Sequence, residues 1–74
     1  MIEEYNNYLL EAVPRLTHNG RYSVAVVISK CVNNVSQKKI FVADDKIWYI
    51  LEIEAVKESI NFGKNLILRN MVGF

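Results

Sequence analysis

Cysteine, histidine and glycine are all scarce in this 74-residue chain, and each shortage rules something out. Cys31 is the sole cysteine, so no disulfide can form within the chain and a stapled secreted mini-protein is excluded. One cysteine and one histidine, His18, are too few for a structural zinc site, which takes four ligands. The glycines stand alone at positions 20, 63 and 73, so there is no glycine-rich loop to cradle a phosphate. A net charge of +1 gives no strong global field to attract nucleic acid or acidic lipid. No stretch approaches the ~18 consecutive apolar residues of a membrane span. The first eight residues, from Met1 to Tyr8, show neither the basic start nor the apolar run of a secretion signal. A cytoplasmic protein with no membrane contact and no cofactor is expected.

What the chain does have is apolar content. Hydrophobic residues make up 51% and charged residues 23%, the composition of a folded single domain near the lower size limit for a self-supporting core. Ile2, Tyr5, Leu9, Ala12 and Leu16 recur at helical spacing, which predicts an amphipathic helix ending near Ala12, ahead of Pro14. His18-Asn19-Gly20 marks a turn. Arg21–Val32 alternates with dense β-branching and reads as a strand, and Asn33-Asn34 as a hairpin tip. Lys38–Ala43 is a second strand, followed by a turn at Asp44-Asp45. Ile47–Leu51 fits a third strand, although Asp45 can also cap a helix that starts there. From Ile53 the stripe Ile53, Val56, Ile60, Gly63 and Ile67 is helical, with Gly63 suited to close packing on the sheet. The expected fold is therefore α+β: a small two-layer sandwich in the order α-β-β-β-α, with an antiparallel three-stranded sheet.

That element order resembles, in topology alone, the double-stranded-RNA-binding domain. The family's lysine-rich start of the final helix is replaced here by Leu51-Glu52-Ile53-Glu54-Ala55, which repels phosphate.

The expected sheet is apolar on both sides. Placing Tyr22, Val24, Val26 and Ile28 with Ile40 and Val42 under the helices leaves Ala25, Val27, Phe41, Trp48 and Ile50 on the opposite side. Soluble monomers seldom leave such a patch bare, so these five are the expected interface residues. One helix on each face, or edge-to-edge pairing of sheets, would hide the same surface differently.

Catalytic chemistry has little to stand on. Asp44 and Asp45 suit backbone hydrogen bonds in a turn, His18 is a loop residue, and a Cys31–His18 pair lacks an orienting third group. The expectation is a non-enzymatic interaction module that pairs with itself or docks on a larger protein. Inhibitors and regulators carried by phage and other mobile elements include proteins of this size. The alternative is a nucleic-acid-binding regulator using Lys38, Lys39, Lys46, Lys64 and Arg69.

Overall fold

Asparagine pairs, not a helical stripe, organise the start of the chain. A computed structural model describes residues 1–17, 19–44 and 46–73. Strands β1 (Ile2–Tyr5) and β2 (Tyr8–Ala12) form a hairpin closed by Asn6-Asn7, with φ of 49° and 69°. Positive φ at both central residues defines the tight turn whose twist matches two antiparallel strands. The expected amino-terminal helix is thus corrected to a hairpin. Pro14 sits in the connection after β2, where its missing N–H breaks no ladder.

The expected strand Arg21–Val32 is interrupted at Val24. Its first part, β3 (Tyr22–Ser23), pairs with β6 (Trp48–Tyr49) in a small two-stranded sheet. Its second part, β4 (Ala25–Val32), pairs with β2 on one side and β5 (Val35–Val42) on the other. The result is a four-stranded antiparallel sheet in the order β1-β2-β4-β5. A single helix, α1 (Glu52–Leu68), completes the described structure. The α-β-β-β-α order and three-stranded sheet are therefore overturned: among the described residues there are six strands in two sheets and one helix, mostly sheet. The topological likeness to the double-stranded-RNA-binding domain goes with them.

Several local expectations hold. Asn33-Asn34, with φ of 52° and 64°, closes the β4–β5 hairpin. Gly20 (φ 70°) turns the chain before β3, with Thr17 accepting its N–H. The Lys46 N–H donates to Asp44 Oδ1 (3.0 Å) and the Ile47 N–H to the Asp44 carbonyl (2.9 Å), so Asp44 serves the turn. Trp48–Tyr49 is a strand, although it pairs with β3 instead of the strand that precedes it. The expectations for His18 and Asp45 lie outside the described residues.

The helix lies across β2 and β4. Leu10, Ala12, Val26 and Ile28 meet Ile60, Ile67 and Val72 in one core cluster, with Leu10, Val26 and Ile28 wholly buried. Burying each of these large side chains stabilises by about 1.5–3 kcal/mol. The expectation for Gly63 holds: a Cβ there would stand 3.2 Å from both Leu10 Cδ2 and Val26 Cγ2. Ser59, also fully buried, accepts the Ala25 N–H (3.2 Å) and donates to the Ala55 carbonyl (2.7 Å). It thereby satisfies a backbone amide at the point where the chain changes sheets.

The helix ends in a Schellman motif. Asn70 takes φ of 55°, its N–H donates to the Ile67 carbonyl (3.1 Å), and the Met71 N–H to that of Leu66 (2.9 Å). Val72 then returns to the core, and Lys39 Nζ donates to the carbonyls of Val72 (3.3 Å) and Gly73 (2.9 Å).

Candidate functional site: the open face of the sheet

Both asparagine turns contain two residues, and this sets which side chains share a face. Val32 pairs with Val35, so Val26 opposes Phe41, Val27 opposes Ile40, and Ile28 opposes Lys39. Paired residues project to the same side. Even positions of β4 therefore lie with odd positions of β5. Phe41 joins the helix side, where it packs against the core, and Ile40 and Val42 turn to the other side. The expected grouping, which put Ile40 and Val42 under the helix, is corrected by this parity.

No described helix covers that other side along Ile2, Leu9, Val27 and Ile40, although Ala25 at the start of β4, on the same side by its pairing with Val42, is fully buried. Ile2, Leu9, Ile40 and Val42 are 65%, 48%, 51% and 58% exposed, with Val27 half-buried between the strands. Together they form an apolar floor across all four strands. The register arranges it in rows: Glu4, Leu9, Ser29 and Lys38 line up in one, and Ile2, Glu11, Val27 and Ile40 in the next. The curved surface encloses a trough of about 550 Å³ bordered by Ile2, Glu4, Leu9, Glu11, Ser29 and Lys38. Negative charge sits on β1 and β2 (Glu4, Glu11), and positive charge on β5 (Lys38).

The five expected interface residues do not meet on one surface. Val27 is on the open face. Ala25 is fully buried and Phe41 is on the helix side. Trp48 is exposed on β6 of the small sheet and Ile50 just after it, with the Arg21 guanidinium carbon 3.7 Å from the Trp48 ring centroid. Ile2 and Leu9 belong to this face because their segment is a hairpin, whereas their helical spacing assigns them to a helix stripe. The Tyr5-Asn-Asn-Tyr8 spacing, the same as Val32-Asn-Asn-Val35, was the signal that could have found them.

The basic residues are dispersed as well. Lys38 is on the open face and Lys39 on the opposite one, tied to the chain terminus. Lys46 belongs to the Asp44 turn, Lys64 pairs with Glu3, and Arg69 caps the helix end. Among the described residues no three His, Cys, Asp or Glu side chains are placed to hold a metal ion. Cys31 is exposed on β4. No described helix is long and apolar enough to cross a membrane. No protein-family model, curated protein or solved structure matches this chain.

Proposed function

We propose that this chain is a protein–protein interaction module and that the open face of its four-stranded sheet is the working surface. One observation carries the proposal: four large aliphatic side chains, each about half exposed or more, lie together on a side with no described helix over them. Left in water, such a surface is a standing cost of roughly 25 cal/mol per Å² of apolar area, which a partner relieves. The side chains on the face are aliphatic, carboxylate, hydroxyl, amine and the single thiol of Cys31, without the oriented acid and base that catalysis requires. An exposed thiol at Cys31 suits a reducing compartment, and we read the protein as cytoplasmic.

The nucleic-acid reading draws no support from the dispersed lysines, since phosphate contacts need cations along one track. Nothing in the arrangement points to a mobile-element inhibitor.

A charge placed in the middle of the apolar floor tests the proposal. Wild-type protein should run heavier than one chain in solution, or hold a companion protein in stoichiometric amount when purified from its native source. Ile40→Glu should abolish that association, whereas Ile53→Glu, exposed at the start of the helix, should preserve it. A wild-type chain with neither self-association nor a companion, or equal effects of the two substitutions, would contradict the proposal.

A further inference from the structure

Resting on that reading of the open face, the geometry points to a second copy of this chain as the occupant. We infer that two sheets stack face to face about a two-fold axis running parallel to the strands. The order of charges across the sheet carries the inference. Glu4 stands on the edge strand β1 and Lys38 on the opposite edge strand β5, in the same row. Among the described residues neither forms an ion pair, and both are exposed.

A two-fold axis along the strands reverses the order of the strands and preserves the level along them. It sets β1 over β5 and β2 over β4 of the second copy. Glu4 then faces Lys38 of the second copy, and Lys38 faces its Glu4, so one contact occurs twice, as an isologous interface requires. In the adjoining row Ile2 meets Ile40 of the second copy, again twice. Turning the axis at right angles to the strands would set β1 over β1 and β5 over β5. Glu4 would then approach Glu4, and Lys38 would approach Lys38. Charge therefore selects the axis; either axis keeps the strands of the two sheets aligned, as stacked sheets with faces about 10 Å apart require.

The available area fits a modest dimer. The exposed parts of Ile2, Leu9, Ile40 and Val42 amount to about 400 Å² per copy, or about 800 Å² for the pair, which is below the ~1,200 Å² of ordinary stable interfaces, so the polar rim must contribute and the pairing is of the weak, transient class. Glu11 tempers the affinity, because it is the one charge set opposite an apolar residue, Val27 of the second copy. Dissociation constants in the micromolar range are expected for an interface of this size and quality.

Charge reversal tests the inference at two exposed positions where folding should be unaffected, which circular dichroism and the thermal midpoint would verify. Glu4→Lys alone and Lys38→Glu alone each place like charges opposite one another at both symmetric contacts. Each should weaken self-association by about tenfold or more. Mixing the two variants in equal amounts restores opposite charges at both contacts, so the mixture should associate nearly as tightly as wild type. A mixture no tighter than either variant alone would overturn the two-fold arrangement, as would single reversals without effect. A wild-type chain that stays single yet holds a different protein through Ile40 would overturn self-pairing and leave the interaction reading standing.

Discussion

Two neighbouring rows of the same sheet carry nearly the same pattern and meet different fates. On the helix side the row Glu3–Leu10–Ile28–Lys39 has an acid at one edge, a base at the other and aliphatic side chains between. Every member is taken up: Glu3 by Lys64, Leu10 and Ile28 by the helix, and Lys39 by the carbonyls of Val72 and Gly73. On the open side the row Glu4–Leu9–Ser29–Lys38 offers the same acid and base at its edges with nothing described above it. The covered row shows how this chain completes such a surface, with an apolar layer in the middle and partners for the charges at the rim. The open row presents the same demand, and under the proposed two-fold pairing its charges would be met by their own reversed order.

The sharpest way to break the comparison is to truncate adjacent leucines. Leu10→Ala removes a wholly buried side chain beneath Gly63 and should cost about 3 kcal/mol in urea unfolding. For a domain of this size that is most of its stability, so partial unfolding at room temperature is expected. Leu9→Ala, one residue away on the open side, should cost less than about 0.5 kcal/mol when measured dilute enough to keep chains apart. It should still weaken association. Equal effects at the two positions would mean that the faces are not distinguished as described.

A smaller effect sharpens the account of the covered side. Ser59→Ala leaves the Ala25 N–H without its acceptor in a buried place, at a cost of about 2 kcal/mol. Amide hydrogen exchange at Ala25 should accelerate more than at its neighbours in β4. Unchanged exchange would show that the helix does not secure the junction between the two sheets.

Much of this could be read from residues, and the failures have physical causes. The long helix, the Asn33-Asn34 tip, the Asp44 turn and the role of Gly63 follow from periodicity, tolerance of positive φ and side-chain volume. The first segment misled because Ile2, Tyr5 and Leu9 fall at helical intervals on a hairpin whose strands are only four and five residues long. Too few residues alternate there for a period of two to emerge. Val24 lies in a stretch dense in β-branched residues, and nothing local marks the change of sheet. The open face was misassigned for a different reason. Its location depends on parity across a turn, and a two-residue turn pairs odd positions with even ones. A two-residue tip at Asn33-Asn34 places Phe41 with Val26 and Ile40 with Val27.

Sedimentation of the unmodified protein over a range of concentrations tests the central claim most directly. The account predicts a shift from one 8.6 kDa chain toward two as the concentration rises through the micromolar range, with the shift suppressed by salt. A constant single-chain mass up to millimolar concentration would contradict it.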